Sequence, residues 1–358
     1  MREEPALDPS QQTPSVQALL VFPMTRNDSL DGMRGVAVLM VFLYHTLQKP
    51  AAGNLGVDIF FVLSGYLITT KLIEELDATG TVNIARFYVN RCLRLIPAFL
   101  LMCVLYEGLH HCFPSIVSFA SPLSLLAFLF TSNYYWARGI QPFPVASHIW
   151  TLATKWQFYF VWPLVAAFAL CRSQYRTAVA IVLCACAVAV MAAEFRGIPV
   201  PKFEGILIGC ALAIGLSNAA GKALPFRTPG VSLGAIAGVV VFAFLAPKAS
   251  ETSSIIAISL AVVAIYAMAG SGACHAVPLL SGETLKYFGK ISYGLYIYHF
   301  PVVAVAYVAG QRPLNMFLIA LFVAVPLSDF SFRFVETPAL KLRSVFRRKK
   351  SQRSDATV

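Results

Sequence analysis

The chain has 358 residues, 58% of them hydrophobic and only 13% charged, about half the charged share of an ordinary soluble domain. Hydrophobic runs recur along its whole length, which excludes a soluble globular protein and predicts a polytopic membrane protein. The formal charge of +11 does not indicate nucleic-acid binding, because Lys and Arg lie in stretches beside the hydrophobic segments, the pattern that sets membrane topology.

Residues 1–28 are polar, carry Pro5, Pro14 and Pro23, and lack the charged start and apolar core of a signal peptide. They read as a disordered cytoplasmic tail. Eleven apolar segments follow, near 33–48, 56–73, 95–110, 114–131, 155–171, 177–194, 203–218, 229–247, 253–271, 291–309 and 314–332. Eleven full crossings would put the basic tail outside, against the positive-inside rule. If 95–131 makes one net crossing, the basic loops fall inside: Lys71 to Arg94, Arg172 and Arg176, Lys222 and Arg227, Lys286 and Lys290. The expected fold is therefore an all-α transmembrane bundle of about ten net spans with both termini cytoplasmic. The stretch 132–154 becomes an outer loop, and 344–358 a basic cytoplasmic tail able to touch anionic lipid.

The first segment carries Arg34 and His45. Eleven steps at 100° make about three turns plus 20°, so both side chains share a face, roughly 16 Å apart along the axis. Ionisable groups inside a membrane are costly and face a cavity or a partner. The next segment opens Gly56-Val-Asp58-Ile-Phe-Phe and continues to Ser64-Gly65. A carboxylate suits a helix start, and Ser-Gly allows close helix contact; a cap and a packing notch explain these residues equally well. There is no G-x-S-x-G elbow, so Ser64 is a poor nucleophile.

Arg91 and Arg94 are neighbours on a helix face. They suit either phosphate clamping at the cytoplasmic edge or simple topological anchoring. Further on, Ser147-His148-Ile-Trp150 leads to Lys155, Gln157 and Tyr159, an aromatic belt with a His and a Lys beside it. Near the end, Tyr293 to His299 precedes Pro301, where a helix kink could serve an interhelical hydrogen bond. Arg333 and Glu336 are placed to pair. His110-His111-Cys112 and the eight scattered cysteines form no metal spacing, and no metal is expected. No phosphate-binding G-x-x-x-x-G-K-[ST] loop is present.

In their order, these motifs resemble those of the acyltransferase-3 family of integral-membrane bacterial carbohydrate O-acyltransferases. The resemblance spans about 29–343, taken as one membrane domain. It implies transfer of an acyl group, usually acetyl, from acyl-CoA to a hydroxyl of a cell-envelope glycan, glycolipid or glycoside at the bacterial inner membrane. It implies that His45 acts as base, that Arg34 stabilises negative charge, and that Arg91 and Arg94 hold the donor. Asp58, Ser64, His148, Trp150, Tyr159, Tyr293 and His299 would bind substrate or support the site. One position departs from the pattern. The family's Trp-Ser/Thr-Leu-x-x-Glu-x-Gln-Phe-Tyr reads here Trp150-Thr-Leu-Ala-Thr-Lys155-Trp-Gln157-Phe158-Tyr159, with Lys155 for Glu at the catalytic centre. That charge reversal is expected to impair the chain, or to adapt it to an acidic acceptor. A polytopic transporter is the reading from another class.

Overall fold

The computed structural model describes residues 27–117, 122–219, 224–269 and 277–342. Nearly all of both expected tails, with Cys274 and Lys222, lies outside these residues. Among those described, the chain is all helix and short turns, with no strand. The helices are α1 (Asp28–Leu47), α2 (Gly56–Thr79), α3 (Ile84–Cys112), α4 (Pro122–Ala137), α5 (Trp150–Ala169), α6 (Ser173–Phe195), α7 (Glu204–Asn218), α8 (Pro229–Leu245), α9 (Glu251–Met268), α10 (Glu283–Val308) and α11 (Pro313–Phe330). Each apolar segment read from the sequence falls on a separate helix. Seven helical stretches among the described residues are long and apolar enough to cross a membrane: 28–47, 53–79, 84–112, 173–195, 251–268, 283–308 and 313–342. α7 and α8 are apolar but shorter. On α6 and α11, side chains such as Ile181, Val188 and Phe322 are exposed, faces that lipid covers in a bilayer.

The helix starts follow local chemistry. The Asn27 side chain accepts from the backbone N–H groups of Ser29 and Leu30 at 3.1 and 3.2 Å, and Asp28 and Asp31 lie in the first turn of α1, where a carboxylate suits the dipole. Asn83 caps α3 by accepting from Arg86 N–H at 2.9 Å. Its own N–H donates to Glu75 at 2.7 Å, and Glu75 pairs with Arg86 at 2.7 Å. This clasp makes the α2–α3 turn tight. The basic stretch 71–94 is thus not a loop: Lys71 lies within α2, and Arg86, Arg91 and Arg94 ride on α3.

Two further expectations change. The 132–154 stretch is not a long loop, because α4 runs to Ala137, a 3₁₀ turn covers Pro144–Ile149, and α5 starts at Trp150. Of 95–110 and 114–131, the first lies in the 29-residue α3, whereas α4 has 16 residues. The expected Arg333–Glu336 pair does not form. Arg333 donates to Asp329 at 2.7 Å, while buried Glu336 accepts from Ser331 at 3.3 Å. The π-helical turn Ser331–Glu336 carries this change of register.

The core is built on glycines where helices meet. A Cβ on Gly35 of α1 would strike the Leu285 carbonyl of α10, and one on Gly289 of α10 would strike the Asp31 carbonyl. α2 and α7 make the same kind of contact through Gly65 and Gly209, so the Ser64-Gly65 notch serves packing as expected. Small residues let backbones touch where lipid supplies no hydrophobic drive. The α1–α10 contact is what brings the two ends of the sequence into one site.

Candidate active site

Two pockets open into the bundle, one near each end. The inner one is lined by Arg34, Ser64, Lys71, Arg91, Arg94, Lys155, Tyr159, Ser292, Tyr293 and Tyr296, with apolar residues between them. The outer one, about 490 Å³, is lined by His45, Asp58, Trp136, Gln141, Ser147, His148, Trp150, Lys202, Glu251, Ser254, Tyr296 and Phe300, among others. That volume lies in the range of small-molecule sites. Tyr296 belongs to both linings. Its hydroxyl donates to the His148 carbonyl at 2.8 Å and accepts from Thr151 Oγ1 at 2.8 Å.

The outer pocket contains three histidines. His299 is fully buried, and its Nδ1 lies 2.7 Å from the Leu295 carbonyl. A carbonyl only accepts, so Nδ1 carries the proton and Nε2 of neutral His299 is an acceptor. That Nε2 lies 3.0 Å from His45 Nδ1, so His45 Nδ1 donates. The lone pair of half-buried His45 is therefore on Nε2, on a ring that lines the pocket. The network sets the tautomer in which His45 can take a proton.

Pro301 helps to place His148. α10 runs through Pro301 to Val308 without ending. Proline has no N–H to give to the carbonyl four residues back, Ile297. His148 Nε2 donates to that carbonyl at 3.2 Å. Its Nδ1 is then an acceptor, and among the described residues it is buried with no hydrogen-bond partner. The ring stacks on Phe300 at 4.7 Å, and Trp150 stacks on Trp136 at 4.0 Å.

Charges in the outer pocket are mixed. Lys202 pairs with Glu251 at 2.9 Å, Glu194 at 3.5 Å and Glu204 at 3.7 Å, and donates to Ser254 at 3.5 Å. Burial opposes its charge, but Asp58, Glu204 and Glu194 outweigh that and hold its pKa above the ordinary lysine range. Of this cluster only Asp58 was singled out from the sequence as a site residue; Glu194, Glu204 and Glu251 come from the ends of three other helices.

Charges in the inner pocket are of one sign. Arg34, Lys71, Arg91, Arg94 and Lys155 line it, and no described acidic residue does. Arg34 donates to Ser292 Oγ at 3.2 Å and pairs with Asp31 at 3.6 Å. Arg91 lies over the rings of Phe87 and Tyr159, at 5.3 and 5.4 Å. Tyr293 donates to the Leu95 carbonyl at 2.9 Å and so ties α10 to α3 beside Arg94. Ser64 donates to the Phe60 carbonyl at 2.6 Å. Lys155 lies over the faces of Phe60 and Phe61, at 5.0 and 5.7 Å, and among the described residues it pairs with no carboxylate. Aromatic faces return about 0.5–2 kcal/mol to a cation. Removing an ion from water costs several kcal/mol, so the rings alone do not balance this charge.

The expected residues thus divide. His45, Asp58, His148 and Trp150 line the outer pocket, with His299 behind His45. Arg34, Ser64, Arg91, Arg94, Lys155, Tyr159 and Tyr293 line the inner one. Lys155 lines the inner pocket and not the outer one. Tyr296, Ser292 and Lys71 were not singled out from the sequence. No group of three or more metal-ligating side chains occurs among the described residues.

The model of the family described as "Acyltransferase domain" (Acyl_transf_3) matches residues 27–332. The O-acetyltransferase OatA of Staphylococcus aureus (strain NCTC 8325 / PS 47) is 29% identical over 345 residues, covering 87% of this chain and 57% of the relative. OatA of Staphylococcus aureus (strain COL) matches with the same identity and coverage. The chain thus spans little more than half the length of these curated relatives. No solved structure matches it.

Proposed function

The chain belongs to the acyltransferase-3 family, and from that membership we propose that it is a membrane O-acyltransferase. It moves an acyl group from acyl-CoA to a hydroxyl of a cell-envelope glycan, glycolipid or glycoside. The observation that carries the reading is the pair of pockets sharing Tyr296, one cationic, the other presenting the open nitrogen of His45. Arg91, Arg94 and Lys71 would hold the CoA phosphates by charge-assisted hydrogen bonds. The pantetheine arm would run outward past Arg34 and bring the thioester to Tyr296. His45 Nε2 would take the acceptor hydroxyl proton as the oxygen attacks the thioester carbonyl. An O–C bond forms, the C–S bond breaks, and the proton passes on to the departing CoA sulfur. His299 Nε2 would accept from Nδ1–H throughout, keeping the ring in place. Trp150, Trp136 and Gln141 would position the acceptor.

The basic residues support the orientation. Lys71, Arg91, Arg94, Arg172 and Arg176 lie toward the inner-pocket end, which is therefore cytoplasmic. Counting α4 as non-crossing gives ten spans, with both termini in the cytoplasm of a bacterium and the domain in its inner membrane. Transfer of radiolabelled acetyl from acetyl-CoA into envelope glycans tests the reading. Membranes with the chain should label glycan, and His45→Ala should lower the rate by roughly 10²- to 10⁴-fold. Labelling that survives His45→Ala would overturn the base assignment. The uncompensated charge of Lys155 supports a second reading, a silenced family member, in which only Lys155→Glu labels glycan.

A further inference from the structure

The five cations of the inner pocket are spread along its length. On α2, Lys71 is eleven residues past Phe60, roughly 16 Å along the axis. Lys155 sits over the Phe60 ring, so Lys71 and Lys155 mark opposite ends of the pocket. Arg91 is at Tyr159, one turn of α5 inward from Lys155. Lys71, Arg91 and Arg94 are the inward cations that would meet CoA phosphates, and Lys155 lies beyond them, one turn of α5 from Thr151, which bonds Tyr296 where the acyl end would arrive. An acetyl group offers there only an uncharged thioester carbonyl and a methyl, and among the described residues no carboxylate pairs with the ammonium. A cation half-buried on the wall of a pocket inside the bundle, with only aromatic faces beside it, is matched by an anion on its ligand.

We propose that this chain uses an acyl-CoA whose acyl chain ends in a carboxylate, a dicarboxylic half-thioester such as succinyl-CoA, and that Lys155 selects it. The inference rests on the assignment of the inner pocket to acyl-CoA. The bond changes are those of the O-acyl transfer: the acceptor oxygen bonds to the thioester carbon, the C–S bond breaks, and the hydroxyl proton reaches the CoA sulfur through His45. The distal carboxylate takes no part and ends on the product, a half-ester that adds one negative charge to the glycan. The Glu that the family carries would repel that carboxylate, so the exchange to lysine changes the donor instead of disabling the enzyme.

The test compares radiolabelled acetyl-CoA and succinyl-CoA, at equal concentration, with membranes containing the full chain. Wild type should transfer succinyl at least roughly tenfold faster, the scale of one charge-assisted hydrogen bond in a desolvated site. Lys155→Met should lose that preference, and Lys155→Glu should reverse it while gaining acetyl transfer. Acetyl transfer by wild type at an equal or higher rate overturns the proposal and leaves the acyltransferase reading standing. So does a succinyl preference that persists in Lys155→Met. Transfer of neither donor by wild type, with acetyl transfer by Lys155→Glu alone, also overturns it and favours the silenced reading. Transfer by no form sinks the proposal and the acyltransferase reading together.

Discussion

The inner and outer pockets handle charge in opposite ways. In the outer pocket Lys202 is surrounded by carboxylates from α6, α7 and α9, so the protein itself supplies the counter-charge to its buried lysine. In the inner pocket five cations line the wall with no described acid on that lining; Arg34 reaches Asp31 beyond it, while Lys155 meets aromatic faces and no described carboxylate. One rule, that charge in a dry interior needs a partner, is met by the protein's own carboxylates at one end and leaves a cation-lined wall at the other.

Substitutions can break this contrast. The largest effect is expected behind His45. His299→Leu removes the acceptor that fixes the tautomer and should lower kcat by roughly 100-fold, the low end for a misplaced base. KM for acyl-CoA should stay unchanged, and a fall confined to KM would show that the outer histidines do not act on the chemical step. A smaller effect belongs to the inner pocket. Arg91→Gln should raise KM for acyl-CoA roughly tenfold, one charge-assisted contact, with kcat little changed. A loss of kcat alone would place Arg91 outside the donor site. The smallest effect lies away from both pockets. Arg333→Gln breaks an ion pair whose arginine is 63% exposed and should change thermal stability by less than about 0.5 kcal/mol in detergent. A large loss would mean that the last helix carries more of the fold than its packing suggests.

Hydrophobic runs located every helix, because apolarity over about twenty residues is what a bilayer demands. They misjudged where helices begin. α3 starts eleven residues before its apolar run, since Arg86, Arg91 and Arg94 lower the local hydropathy while the Asn83 cap and the Glu75 clasp still nucleate a helix. Spacing within one helix paired Arg34 with His45 correctly in direction. It could not show that they serve different pockets, because pocket boundaries are made by other helices. The His45–His299 contact joins residues 254 apart, and nothing local marks it. Pro301 was legible as a backbone fault, but that His148 would take up the freed carbonyl was not.

Tyr296 gives the two-pocket plan a further consequence. A bundle hollowed from both ends is thinnest where the hollows meet, and any gap there would short-circuit the ion gradients that the membrane stores. The phenol is a plug pinned by hydrogen bonds to Thr151 and to the His148 backbone. It cannot swing aside without breaking both. Under the proposed donor assignment, insulation and passage fall to the same side chain, and an incoming thioester would itself fill the opening that it makes.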